Sequence, residues 1–320
     1  MALTRPTVGV SIQAFDAPGF VAQIEQAEAA GIPVAWSTIG GAGGGDPLTA
    51  AAAALAATSA IDFGTAIVPT WPRHAVVIAQ QALALEQLAP GRLHLGLGPS
   101  HEPAMVANFG VEWSAPLTNL REYLQVIRAL LTEGSVDFEG RHVTARSQIR
   151  TPVNVSLMAS ALRPRSFETC GELADGAISW MCPKPYLVEE ALPAIRRGAE
   201  RAGREAPPLV AHVPMLVTDD PGGVRELIGQ LGRYAQVPFY RAMFEAAGYD
   251  VDTGYSDELL DNLVVSGSEA EVAERLAGYV VDGTGHVLAA PLIESEDREA
   301  SIARAFAAVA RADALVREAR

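Results

Sequence analysis

Histidine is the side chain best suited to carry protons near neutral pH, and this chain has six. His101 stands apart from the others. It follows "RLHLGLGPS", just past the C-terminal end of an apolar strand pattern, with Ser100 and Glu102 beside it. His94 and His212 fall inside strand patterns and read as core or helix-packing residues. His74 opens a helix next to Arg73, and His286 begins a strand at the end away from any chemistry. His142 belongs to "RHVTARSQIR" (141–150), where Arg141, Arg146 and Arg150 could guide an anionic tail, although an exposed hairpin is the commoner reading. His101 is therefore the candidate catalytic residue.

Two other groupings suit a ligand. In "ASALRPRSFETC", the small residues Ala159, Ser160 and Ala161 let a ligand approach the backbone, and Leu162 and Arg163 lead into a helix opened by Pro164. Arg163 and Arg165 then stand at the positive end of a helix dipole, where cations are mildly unfavourable. A bound phosphate reverses that penalty, and two solvated arginines are the alternative. Trp36, Trp71 and Trp180 end or follow strand patterns, which suits a planar ring ligand or, equally, a plug in the mouth of the fold.

Other chemistries find no support. Gly96 and Gly98 suggest a dinucleotide turn, but that fingerprint needs a third glycine opening a helix. Here Pro99 and Pro103 interrupt the would-be helix. "GGAGGGDP" (40–47) lacks the Lys-Ser/Thr of a phosphate loop and reads as a mobile loop over the mouth. No nucleophile elbow, zinc-protease helix or carboxylate cluster for a metal is present.

What would position these residues is an alternation of strands and helices. Strand patterns lie at 7–12, 33–38, 61–68, 92–98, 154–160, 175–181, 209–218 and 286–293, with helical patterns between them and a last helix at 297–318. Eight strand–helix units predict a parallel sheet closed into a (β/α)8 barrel, as one domain over 1–320. Two intervals are too long for simple connections. Residues 134–153 predict a hairpin turning at Glu139-Gly140, and 221–261 hold extra helices between the seventh and eighth strands. The helices at 47–59 and 73–89 are apolar over a wide arc, which predicts a homodimer through them or cover by the chain's own insertions.

A net charge of −14 argues against binding nucleic acid or an anionic membrane. Cys170 and Cys182 form no zinc-like pair and no disulfide framework, and no leader or membrane-spanning run is present, so a cytoplasmic location is expected. The one lysine, Lys184, reflects composition more than function.

The stretch "FGTAIVPTWPRHAVVIAQQALALEQLAPGRLHLGLGPSH" resembles the core of bacterial luciferase-like flavin and deazaflavin oxidoreductases. "FEGRHV", "CGELADGAISWM" and "VTDDPGGVRELIGQLGRYAQVPFYRAMFEAAG" extend the likeness, and "GLGPSH" is most similar to members that use coenzyme F420. The resemblance implies a barrel with a ring cofactor across its mouth. It implies a non-prolyl cis peptide at Ala66–Ile67 behind the ring, and Gly98, Pro99, Ser100 and His101 flanking it. Ala159, Ser160, Ala161, Leu162 and Arg163 would hold the phosphate, and Trp36 and Trp180 would complete the pocket. One departure matters: many members carry a histidine near the end of the second strand, where this chain has only Ser37 and Thr38. The expected activity is F420-dependent hydride transfer between deazaflavin C5 and a small organic substrate. An FMN-dependent monooxygenase, or a non-catalytic cofactor-binding protein or partner subunit, are the alternatives.

Overall fold

In a computed structural model, which describes residues 5–12, 14, 16–38, 44–219, 231–293 and 297–319, eight parallel strands close on themselves. They begin with β1 (Thr7–Ser11), β2 (Val34–Ser37), β3 (Asp62–Thr65) with its continuation β4 (Val68–Pro69), and β5 (Leu93–Gly98). An antiparallel hairpin outside the barrel, β6 (Ser135–Glu139) and β7 (Thr144–Gln148), precedes β8 (Ser156–Ser160), β9 (Gly176–Ile178) and β10 (Leu209–Val217). After the short β11 (Val265–Gly267), which pairs with the end of β10, β12 (Gly285–Pro291) closes the ring against β1.

Alternation along the strands builds two cores. Val8, Val10, Leu93, Leu95, Leu97, Ala211, Val213, Val287 and Ala289 face outward into the helix layer. Val34, Trp36, Met158, Ile178, Val210 and Leu288 face inward and form a separate cluster in the barrel, with Ala66 and Ile67 packed against it. Each fully buried side chain of this size contributes roughly 1.5–3 kcal/mol.

The helices are α1 (Ala17–Ala29), α2 (Pro47–Ala57), α3 (Ala75–Leu88), α4 (Glu102–Phe109), α5 (Pro116–Arg128), α6 (Pro164–Leu173) and α7 (Leu192–Arg201). They continue with α8 (Pro238–Ala246), α9 (Asp257–Leu263), α10 (Glu269–Val281) and α11 (Arg298–Glu318). Local signals set their starts: Asp16 accepts from Gly19 N–H at 2.7 Å, Asp46 from Thr49 N–H at 2.8 Å, and Ser268 and Glu271 cap each other's backbone. The C-terminal helix is fixed to the first strand by the buried Asp313 carboxylate. It accepts from Val8 N–H at 3.1 Å and pairs with Arg5 at 3.2 Å and Arg317 at 3.3 Å.

Two sequence expectations need correction. Residues after Gly98 do form a helix, α4, because Pro103 occupies its first turn, where no N–H partner is lost. The hairpin turn spans 140–143, since Glu139 pairs with Thr144. Its tip is held by Glu122 of α5, whose carboxylate accepts N–H bonds from Arg141, His142 and Val143 at 2.8, 2.7 and 3.0 Å. Residues 39–43 of the glycine-rich stretch and 221–230 of the second insertion lie outside the described residues. Among the described residues, no helix is long and apolar enough to cross a membrane.

Candidate active site

The C-terminal ends of the strands meet around the barrel mouth. Continuing the inward alternation past Met158, Ile178, Val210 and Leu288 brings Ser160, Trp180, His212 and Ala290 to the next layer up. The cis peptide expected at Ala66–Ile67 is present between β3 and β4. The inward glycines of β5 serve this construction. A Cβ on Gly96 would lie 2.0 Å from Thr65 O and 2.6 Å from Ile178 Cδ1, and one on Gly98 would lie 2.2 Å from Ser160 Oγ and 3.0 Å from Ile67 Cγ1. The space those glycines leave is filled by the neighbouring strands. These glycines admit the Thr65–Ile67 bulge and Ser160.

His101 leaves β5 after Ser100, whose φ of 63° turns the chain sharply outward. It then meets the second insertion. Its ring stacks on Phe239 (5.8 Å between centroids, 23°) and Tyr240 (5.8 Å, 30°), with Tyr234 at 6.2 Å. The Tyr240 hydroxyl lies 3.3 Å from His101 Nε2 and can donate to it. Burial, followed by the nearby Arg233 guanidinium, holds the imidazole below its ordinary pKa. Burial also raises the Tyr240 phenol well above its usual range, with Tyr234 adding to the effect. Both groups are therefore neutral at pH 7, a pair able to pass a proton to or from a substrate oxygen without carrying a resting charge.

Beside this wall, β8 runs into the N-terminus of α6. Ser166 Oγ accepts from Leu162 N–H at 3.1 Å and Arg163 N–H at 3.0 Å, so those two amides are already satisfied. Arg163 and Arg165 are exposed, and their guanidinia have no ion-pair partner among the described residues. Most other arginines are paired: Arg121 with Glu172 at 2.6 Å, Arg128 with Asp175 at 2.9 Å, Arg197 and Arg201 with Glu168 at 3.1 and 3.0 Å. In an acidic chain, two free cations at one helix start form an anion-receiving edge built from side chains more than from amides.

The remaining predicted residues divide. Gly98, Pro99, Ser100, Ser160, Leu162, Trp180, Ala66 and Ile67 lie at the mouth. Ala159 and Ala161 do not face it, because their side chains pack into the helix-facing core. Trp36 is only 1% exposed. It lies over Gly64 inside the barrel and 6.3 Å from the His94 ring, so it fills the core and offers no open face to a ligand. Trp71 turns outward to Trp113 at 5.0 Å and His142 at 5.6 Å.

Sequence reasoning did not single out Tyr234, Phe239 and Tyr240, which sit far along the chain in the second insertion. It also placed His212 in the core. The ring of His212 lies 4.2 Å from Trp180, which in turn lies 5.8 Å from Tyr234. The two-residue period from Val210 could have placed it on the inner wall.

The fold and its mouth define a (β/α)8 barrel with a candidate site at the C-terminal ends of its strands, and its sequence gives the family. Residues 1–286 match the luciferase-like monooxygenase family model, and the chain belongs to that family. An uncharacterized protein of Mycobacterium tuberculosis is 30% identical over 224 residues, which are 64% of this chain and 65% of that protein. The chain thus spans less than two thirds of that relative's length. An F420-dependent glucose-6-phosphate dehydrogenase of Beutenbergia cavernae is 32% identical over 183 residues, 55% of this chain and 54% of the enzyme. The solved structure of an F420-dependent secondary alcohol dehydrogenase, in complex with an F420-acetone adduct, superposes with a TM-score of 0.81. That match has 17% identity and covers 98% of this chain and 99% of the other.

Proposed function

We propose that this protein is an F420-dependent oxidoreductase that passes a hydride between deazaflavin C5 and a small organic substrate. The observation that carries the reading is the unpaired Arg163–Arg165 edge beside the neutral His101–Tyr240 pair, in a chain whose relatives include a named F420-dependent dehydrogenase. When bound, the deazaflavin supplies the hydride chemistry. This chain's residues do the rest. Arg163 and Arg165 receive the phosphate, and the Ala66–Ile67 bulge supports the ring from below. Trp180, Tyr234 and Phe239 exclude water, and His101 exchanges a proton at a substrate oxygen. With no histidine at the end of β2, that last role falls to His101.

FMN is the second cofactor considered, because the family takes its name from monooxygenases. Titrating the protein with F420 and with FMN, followed by tryptophan quenching, separates the two. Saturable quenching by F420 at the lower concentration is expected, and tight FMN binding with no F420 response would overturn the reading.

The chain further reads as a single-domain cytoplasmic enzyme that works as a homodimer through α2 and α3. Val77 and Leu88 of α3 are 45% and 53% exposed. Sedimentation should give twice the chain mass, and Leu88→Glu should shift it toward the monomer.

A further inference from the structure

His212 has no place in the proton exchange assigned to His101, yet it faces the same space. Its ring belongs to the inward layer directly above the apolar cluster of Val34, Trp36, Met158, Ile178, Val210 and Leu288. It is only 8% exposed, and its Nε2 is buried with no hydrogen-bond partner among the described residues. The backbone around it is satisfied: His212 N–H donates to Ser179 Oγ at 3.4 Å. Unpartnered ring nitrogens also occur at His94 Nδ1 and His142 Nε2, but His94 lies at the base of the barrel and His142 on the outer hairpin, whereas His212 lies on the inward layer at the mouth. One continuous aromatic wall, Trp180 then Tyr234, joins His212 to His101.

We infer that His212 is the polar floor of the substrate site and binds a neutral oxygen, the carbonyl or hydroxyl of the molecule being reduced or oxidised. The inference deepens the oxidoreductase reading and rests on it for the word substrate. Its chemistry follows from the surroundings. The cations Arg163, Arg165 and Arg233 are exposed, with Arg233 over the Tyr234 ring at 5.4 Å, and the floor beneath His212 is apolar. A carboxylate or phosphate lowered onto that floor would lose its water with no countercharge to replace it. A neutral oxygen needs only one hydrogen bond, and the Nε2 of a neutral ring gives or takes it according to tautomer. Burial keeps that ring uncharged, with a pKa pushed down to about 3. Charged ends of the cofactor and neutral ends of the substrate are thereby sorted to different depths.

The test uses the full chain labelled with 15N-histidine, without cofactor and then with F420, probed by cyclohexanone and by cyclohexanecarboxylate. The His212 ring nitrogens are identified by their loss in His212→Asn. Cyclohexanone should move them and the carboxylate should not, and His212→Phe should weaken cyclohexanone binding about tenfold with F420 affinity unchanged. Ring nitrogens that stay fixed with cyclohexanone in both samples, or that move with the carboxylate instead, would overturn the proposal. The wild-type shifts decide this even where His212→Phe does not fold. The cofactor-free sample reads His212 by itself, and the F420 affinity of the same protein reports on the oxidoreductase assignment separately.

Discussion

The two ends of the barrel treat buried polar groups differently. At the base, His94 Nε2 meets Asp62 at 3.0 Å, His286 Nδ1 meets Thr7 Oγ1 at 3.1 Å, and Asp313 gathers Arg5, Arg317 and the Val8 amide. Exceptions include Glu86 Oε2 and the register neighbours His94 Nδ1 on β5 and Ser156 Oγ on β8, which lack partners. Among the described residues at the mouth, His212 Nε2 has no hydrogen-bond partner, His101 has one long contact, and Arg163 and Arg165 have no ion-pair partner. A polar group left open costs stability unless something binds it. The base largely satisfies its own polar groups, whereas the mouth leaves several open, which supports the ligand site proposed there.

That contrast breaks most readily at the base. Asp313→Ala removes the acceptor of three groups and should lower stability by about 3 kcal/mol, read by urea unfolding. Cofactor affinity of the folded fraction should stay the same. An equal loss of affinity would mean that the two ends are coupled.

At the mouth the order of effects reverses. His101→Ala should cut turnover of an identified substrate about a hundredfold with cofactor affinity nearly kept, and unchanged turnover would make His101 structural. Arg163→Ala with Arg165→Ala should weaken F420 binding roughly tenfold or more. The same change should leave unfolding free energy within about 0.5 kcal/mol, because neither side chain holds a native partner.

A further effect concerns pH. His212 has its pKa lowered from 6.5 to about 3, so between those values the unfolded chain binds a proton that the folded chain refuses. The stability this represents is present above pH 6.5 and is lost as pH falls toward 3. It contributes a slope of up to about 1.4 kcal/mol per pH unit. His101, also lowered, adds in the same direction. Unfolding curves at pH 7, 6 and 5 should show the decline, and His212→Phe should flatten it. An unchanged slope in that variant would place the proton uptake elsewhere.

Much of the barrel could be read directly from the sequence, because its strands are largely buried on both faces and several helices begin with a recognisable cap. What escaped depended on contacts between distant segments. The prolines near His101 read as breaks, although a proline in the first turn starts a helix as readily as it stops one. Gly96 and Gly98 read as an incomplete dinucleotide turn, and only the packed Thr65–Ile67 bulge and Ser160 show why the strand needs glycine there. Trp36 and Trp180 looked alike at strand ends, yet Trp36 is sealed over Gly64 while Trp180 meets His212 and Tyr234. His101 and Arg163 were found from position alone, whereas Tyr240, 139 residues along the chain from His101, was not.

The most direct measurement is the structure of the protein crystallised with F420. The account predicts the deazaflavin ring across the barrel mouth, between the Ala66–Ile67 bulge and the His101–Tyr240 pair, with its phosphate at Arg163 and Arg165. A ring bound away from the mouth, or a phosphate held by other residues while Arg163 and Arg165 stay solvated, would contradict it.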